Sequence, residues 1–520
     1  MSSALARATE AAHVSIFRSG ERFGLNVSDE ARIAGGDSST GHIDHIARKA
    51  GRGLTWSLAG NFLTKAGSFA LGLGLARILT PADFGVYAVA LAVMAFAMYV
   101  NDAGIIAACV QWRGKLEEMA PTAASIALLS SFVVYGVLWL SAPAISTLSK
   151  APDATPVVRL LALVIIVDGI TAVRAAALLR RFEQDRLTKA NIVGMLVNVA
   201  VALPLAFSGA GAYSMAAGQL AAAIVTGVLV FKMGDVPIKL DLDRTIAKKL
   251  LTFGLPLAVS LGIEAVLMNA DFVIVGNALG VVALGYYLLA FNISSWVPSL
   301  IGTPLRHVAV PSFSRLAEQG AEAIATGVRR SVPLVLAATL PAAVALATLA
   351  PALVNFLYGA KWGPSAVALS YLSVLTVARM LTALAFDILT ALGATRYTVW
   401  LNAGWAVALV PALFIGSHVD GIRGAAIAHG IVAVLVALPL AIFALHLAGV
   451  SLVPTLPALI RPTIAAAIAA AVIVLIDSVV SGSSFVHLLL AGGVGMVAYV
   501  LVVVPADQFR RLNTLRSHFR

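Results

Sequence analysis

From Leu54 onward this sequence is a succession of apolar segments, each close to 20 residues long and separated by short polar or glycine-containing loops. Wound as an α-helix, such a segment matches the roughly 30 Å hydrocarbon core of a bilayer. No water is present there to satisfy exposed backbone groups, so segments of this length must be helical. They lie near residues 54–77, 84–109, 121–145, 157–179, 190–208 and 211–232, then 250–276, 283–306, 331–356, 365–392, 397–415 and 421–446, and finally 458–479 and 485–505. The expected fold class is all-α: a polytopic membrane protein of about 14 transmembrane helices, arranged as two six-helix lobes plus two C-terminal helices. Composition agrees, with 60% apolar and 12% charged residues, where an ordinary soluble domain carries about 25% charged.

Charge sets the expected orientation. With the N-terminus cytosolic, the cytosolic loops receive Arg48, Lys49 and Arg52, then Arg113 and Lys115, then Arg180, Arg181, Arg186 and Lys189, and so on to Arg510, Arg511, Arg516 and Arg520. The outer loops and their edges hold only Arg77, Lys150, Arg159, Lys361 and Arg423. This alternation predicts that both termini are cytosolic. It also accounts for the net charge of +11 without nucleic acid, which is not an expected partner.

The expected organisation is a disordered cytosolic tail over 1–50, an N-terminal six-helix lobe over 51–235 and a C-terminal six-helix lobe over 236–450. Two extra transmembrane helices follow over 451–507, then a basic cytosolic tail over 508–520. The first 50 residues mix charges of both signs and lack the basic start, apolar core and small-residue cleavage site of a signal peptide.

The halves repeat one another. Leu79-Thr80-Pro81-Ala82-Asp83-Phe84-Gly85-Val86-Tyr87 follows the first segment and Leu279-Gly280-Val281-Val282-Ala283-Leu284-Gly285-Tyr286-Tyr287 the seventh, so Leu79/Leu279, Gly85/Gly285 and Tyr87/Tyr287 correspond. Arg186-Leu187-Thr188 opens the fifth segment as Arg396-Tyr397-Thr398 opens the eleventh; Gly209 and Gly218 flank the start of the sixth as Gly421 and Gly430 flank that of the twelfth. Six spans per half, both beginning on one side, make the repeat parallel, a construction used by secondary transporters with the substrate path between the halves.

Ionisable residues inside lipid are costly and mark candidate sites. Lys65 lies near the middle of the first span with Asn61 one turn before it; Glu264 and Asp271 lie in the seventh. At about 100° per residue, positions seven apart return to within roughly 20° of one face. A cationic face on the first helix is therefore expected to oppose an acidic face on the seventh across a shared cavity, or to lock the halves as an ion pair. Asp168 and Arg174 in the fourth span and Arg379 and Asp387 in the tenth form a second matched set. Guanidinium groups there suit phosphate or carboxylate, although Arg174 lies close enough to the cytosol to snorkel. His307 and His429 are titratable but equally suited to packing; Arg77, Asp83 and Asp102 are expected at interfaces and Asp477 near the outer surface.

Cys109 is the only cysteine, and neither a Gly-rich Lys-Ser/Thr phosphate loop nor a His-Glu-x-x-His motif is present. No metal and no cofactor is expected, and the outer loops are too short for a soluble catalytic domain. The chain is expected not to be an enzyme.

The stretch Leu75–Tyr87, with Phe253-Gly254-Leu255-Pro256, Asp271–Gly276, Leu284–Tyr287 and Pro311-Ser312-Phe313-Ser314-Arg315-Leu316, resembles the polysaccharide transporter family. That family contains the O-antigen and exopolysaccharide flippases of the multidrug/oligosaccharidyl-lipid/polysaccharide exporter superfamily. The resemblance covers roughly residues 50–450. It implies two six-helix lobes around a central cavity and a lipid-linked oligosaccharide, on polyprenyl phosphate or pyrophosphate, moved across the bacterial cytoplasmic (inner) membrane for polysaccharide biosynthesis. Alternating access would be coupled to an ion gradient or driven by membrane potential. It further implies a cationic cavity for the anionic head, for which Lys65, Arg174 and Arg379 are the substrate-binding candidates, and an ion-coupling site at Glu264 and Asp271. From their positions inside the spans, Asn61 is added as a substrate-binding candidate and Asp168 and Asp387 as ion-coupling candidates. Membrane lipids, and a polysaccharide polymerase and export machinery, are the implied partners. A lipid II flippase or a drug/cation antiporter of the same superfamily is the alternative; a membrane enzyme or a scaffold is disfavoured by missing motifs and by the buried charges.

Overall fold

Among the residues described by the computed structural model, namely 60–102, 106, 109, 116–181, 183–236, 239–479 and 485–504, every regular element is a helix. The expected tails over 1–50 and 508–520 lie outside them. The first half contains α1 (60–78), α2 (Pro81–Asp102), α3 (Leu116–Leu148), α4 (Ala154–Arg180), α5 (Gln184–Phe207) and α6 (Ala212–Met233). Then come α7 (Arg244–Leu279), α8 (Val281–Ser294), α9 (Trp296–Gln319), α10 (Ala321–Thr348), α11 (Ala350–Tyr358) and α12 (Gly363–Ala391). The chain continues with α13 (Thr395–Val432), α14 (Leu438–Leu447), α15 (Leu456–Val479) and α16 (Phe485–Val503). Eleven described stretches are long and apolar enough to cross a membrane, against the fourteen expected. One of them, Arg396–Leu447, is 52 residues long and is broken where Asp420 and Gly421 leave helical geometry (Gly421 φ 55°).

Prolines move two boundaries. The eighth segment breaks at Ser295, between α8 and α9. Pro298 has no N–H for the carbonyl four residues before it, that of Ser294; that carbonyl instead accepts from Thr376 Oγ1 of α12 at 2.9 Å. The ninth segment, expected as one helix over 331–356, is divided at Leu349, where Pro351 occupies the first turn of α11.

Large side chains such as Leu140 (80% exposed), Val407 (75%) and Phe207 (75%) stand on the outside of this bundle, an arrangement that lipid solvates and water does not. Inside, small residues let helices approach closely. One apolar core runs from Leu75 and Phe84 through Leu284 and Tyr287 to Leu372 and Leu413, joining the two halves. A second gathers Met119, Ala123, Val173 and Ala177 of the first half with Leu250 of α7, so α7 starts against the first half.

The two repeated motifs turn the chain by different chemistry. Before α2, Thr80 N and Oγ1 donate to Asp83 Oδ2 (2.9 and 2.6 Å) while Asp83 N donates to Thr80 Oγ1 at 3.3 Å, a reciprocal cap of the orphan amides. Before α8 the equivalent of Asp83 is Ala283, and Gly280 makes the turn at φ 83° with no side-chain cap. Beyond these turns the helices meet through their glycines. A Cβ on Gly85 would fall on the carbonyl oxygen of Val281, and one on Gly285 on that of Pro81.

The halves are clasped at this same end. Arg77, at the end of α1, donates through Nε to Leu357 O (2.6 Å) and through Nη2 to Phe356 O. In return Lys361 Nζ donates to Arg77 O (2.9 Å) and Leu79 O (2.7 Å), and Trp362 Nε1 to Ala76 O (2.8 Å). Two helix C-termini thus exchange cationic caps for carbonyls that their own helices cannot satisfy. At the far end of the chain, α15 and α16 dock on α10, where Tyr499 OH donates to Ala337 O at 2.9 Å.

Candidate functional site

Among the described residues, polar cavities open within the bundle in each half. The second-half cavity, about 840 Å³, is walled by α9, α12 and α13 and lined by Arg306, Arg379, Asp387, Thr398 and Asn402 among apolar residues. Thr398 and Asn402 are one turn apart on the first part of α13, so both look into it. Arg306 Nε pairs with Asp387 Oδ1 at 3.3 Å; the Arg306 side chain is 72% exposed and that of Asp387 5%. The cation can therefore swing toward a ligand while the carboxylate stays fixed in the wall.

Arg379 belongs to two environments. It lines this cavity, and it also interacts electrostatically with Asp271 and Tyr287 behind the wall. Its Nη1 donates to Ser295 Oγ at 3.1 Å and its guanidinium lies 4.6 Å above the Phe291 ring, a contact that orients the planar group. Asp271, from the second half of α7, is 1% exposed. His429, eight residues after the break in α13, brings Nδ1 to 4.0 Å from Asp271 Oδ2 and 3.1 Å from the Tyr287 hydroxyl. Phe272 and Phe291 pack around them. An acid, an imidazole, a phenol and a guanidinium thus share one water-poor site, where each charge is felt strongly by the others.

The first-half cavity, about 700 Å³, is lined by Asn61, Thr64, Ser68, Asp168, Asn191 and Gln219 among other polar and apolar residues. Asp168 accepts from Asn101 Nδ2 (3.1 Å), whose Oδ1 accepts from Ser131 Oγ (2.8 Å). Tyr87, the counterpart of Tyr287, donates to Gln219 of α6. In both halves, then, the repeated tyrosine reaches a polar residue late in that half: neutral Gln219 of α6 in the first, His429 of α13 in the second.

The eight sequence-derived candidates are distributed accordingly. Asn61 and Asp168 share the first-half cavity; Arg379 and Asp387 share the second, with Asp271 behind Arg379. Arg174 is apart from both: Nε and Nη2 donate to Gly234 O (3.2 Å) and Val236 O (2.9 Å), and it lies 3.6 Å over Phe231, capping the end of α6. Lys65 is exposed. It shares a helix face with Phe69, whose ring meets Trp296 of the second half at 4.5 Å, so that face is turned across the bundle. The Glu264 and His307 side chains lie outside the described residues. Arg306 is missed as a site residue because it stands at a segment end; Tyr287 is missed because the repeat makes it look structural, although that recurrence is itself a signal.

The profile of a family described as polysaccharide biosynthesis protein matches residues 74–367. The succinoglycan biosynthesis transport protein ExoT of Rhizobium meliloti (strain 1021) is 25% identical over 280 residues, 52% of this chain. The match spans 55% of ExoT, about half its length. In fold the chain is similar to the lipid II flippase MurJ in its inward closed conformation, with a TM-score of 0.72 at 14% identity over 88% of this chain and 99% of that one. It is also similar to an inward-facing multidrug resistance MATE family transporter of the MOP superfamily, with a TM-score of 0.62 at 17% identity over 75% and 94% of the two chains.

Proposed function

We propose that this chain, which belongs to the polysaccharide biosynthesis protein family, is a transporter that flips a lipid-linked oligosaccharide across the bacterial cytoplasmic membrane. The cargo is a glycan on polyprenyl phosphate or pyrophosphate. Both termini are cytosolic, and two six-helix lobes over 51–235 and 236–450 rock to give alternating access. The observation that carries the reading is the pair Arg306 and Arg379 in one intramembrane cavity, since two guanidinium groups match an anionic headgroup. A glycan cannot enter hydrocarbon unaided, and a hydrated, charge-matched route replaces its water.

Asp271 and a bound headgroup draw on the same guanidinium, that of Arg379, so occupancy of the cavity and the charge state of Asp271 are linked. This makes the Asp271–His429–Tyr287 cluster the place of ion coupling. A membrane potential negative inside adds about 2.3 kcal/mol per negative charge moved outward per 100 mV. Lys65 adds a cation on the face turned toward the second half, Asn61 contacts the sugar, and Asp168 and Asp387 are further ion-coupling groups. A polymerase and export machinery receive the product.

The test is a flipping assay in proteoliposomes with a lipid-linked oligosaccharide, comparing wild type with Arg379→Gln and Asp271→Asn. Loss of transport in both, with unchanged thermal unfolding, supports the reading. An inert wild type that carries lipid II or a cationic drug instead moves the chain to the alternative transporter class. The first-half cavity, whose only charged lining residue among those described is Asp168, is the observation that favours the drug/cation reading.

A further inference from the structure

The first part of α13 has two working faces. Thr398 and Asn402 look into the charged cavity. The neighbouring face, Tyr397, Trp400, Leu401, Gly404 and Val407, forms with Leu440, Phe443, Ala444 and Leu447 of α14 an apolar groove of about 610 Å³ on the outside of the bundle. Its floor is buried (Leu401 2%, Ala444 5%), while its rims stand out (Trp400 74%, Val407 75%, Phe443 58%). Gly404 keeps the floor deep, because a Cβ there would meet the Leu440 side chain. From Tyr397 to Val407 the helix rises about 15 Å, the hydrocarbon depth of one leaflet.

One end of this groove is charged. Arg396 donates through Nη2 to the Tyr397 hydroxyl at 2.7 Å and lies 4.7 Å over the Tyr397 ring, and it is exposed. Tyr397 is itself a groove residue, so the guanidinium is held by stacking at the mouth, with donors left for a ligand. A groove for bulk lipid needs no such cation. A leaflet-long apolar slot ending in an oriented guanidinium fits a long hydrocarbon chain with a phosphate at its end.

We propose that this groove is a docking site for the polyprenyl phosphate carrier, with the isoprenoid chain in the slot and the phosphate on Arg396, in the leaflet where the chain's termini lie. The site rests on the transport reading for its ligand class. It places the carrier against α13, the helix whose other face lines the headgroup cavity, so the tail remains in lipid while the head enters.

The experiment is equilibrium binding, with no gradient and no transport step. The purified full chain in phosphatidylcholine nanodiscs is titrated with undecaprenyl phosphate, undecaprenol and dioleoyl phosphatidic acid, and bound lipid is counted by native mass spectrometry. Ala403→Trp, at an exposed position lining the groove, plugs the slot; Arg396→Gln removes the cation. Each is expected to weaken undecaprenyl phosphate binding about tenfold, which is 1.4 kcal/mol, with Arg396→Gln leaving undecaprenol unchanged. Arg461→Gln, at an exposed arginine of α15 outside the groove and both cavities, is expected to bind as wild type does. Binding unchanged in both groove variants overturns the proposal, as does phosphatidic acid binding equally well, which would make the groove a general anionic-lipid site. Failure of transport with groove binding intact would overturn the transport reading and leave the docking site standing.

Discussion

Gly85 and Gly285, two hundred positions apart in sequence, each occupy the spot where a side chain would strike the carbonyl of the other's helix, at Val281 and Pro81 respectively. The repeated glycine is therefore repeated because α2 and α8 touch backbone to backbone. Gly85→Ala and Gly285→Ala are each expected to lower stability by about 1–3 kcal/mol through overpacking. The double variant should cost less than the sum, since one separation of the helices relieves both collisions. Thermal unfolding in detergent checks this; a wild-type midpoint for either single variant would contradict it.

The clasp of Arg77 with Lys361 and Trp362 holds the two halves together at one end of the membrane. Lys361→Met removes two bonds to carbonyls, each worth about 1.5–3 kcal/mol because the donor is charged. The ends of α1 and α11 should then separate more often. Because Cys109 is the only cysteine, a Cys109→Ala background accepts spin labels at chosen sites. Distances measured across the clasp should broaden toward longer values in Lys361→Met. An unchanged distribution would show that the clasp does not hold the closure.

Arg379 is placed by a stack on Phe291 and a hydrogen bond to Ser295, geometry that an ammonium cannot reproduce. Arg379→Lys should therefore reduce flipping about as much as Arg379→Gln, on the order of tenfold or more for a loss of 1.4 kcal/mol. Retention of wild-type transport by the lysine variant would mean that charge alone suffices.

At the start of α7, outside the membrane, Asp243 Oδ1 accepts from the amides of Ile246 (3.0 Å) and Thr245 (2.7 Å). These bonds, with Lys249 nearby, hold its carboxyl below the usual aspartate value. A depressed folded-state value means the cap stabilises fully above the unfolded-state pKa of about 3.9. The stabilisation is lost as pH falls through the lower folded-state value. Asp243→Ala should speed hydrogen exchange at Thr245 and Ile246 at neutral pH, and its difference from wild type should vanish only below about pH 4. Equal protection at pH 7 would rule out the cap.

Much of this architecture is written locally. A 20-residue apolar run in lipid must be a helix, and buried charges announce themselves, so Asp271, Arg379 and Asp387 are visible from sequence alone. What sequence does not supply is the neighbour. Asp168 and Arg174 are six residues apart on one helix, yet one faces Asn101 in a cavity and the other caps α6 at Gly234 and Val236. Only the packing of α4 between its neighbours decides that. His429 gains its place beside Asp271 from the break at Gly421, which starts a new helix direction. The expectation of one shared cavity facing Lys65 likewise depends on helix contacts that periodicity does not encode.

The glycine contact has a mechanical consequence. Side-chain knobs seated in holes must be withdrawn before two helices can turn against each other, whereas bare backbone at Gly85 and Gly285 has nothing to withdraw. The contact is shaped as a fulcrum. Displacement grows with distance from such a point, so the far ends of the helices sweep the widest arc, and a small roll at the glycines is a large stroke there.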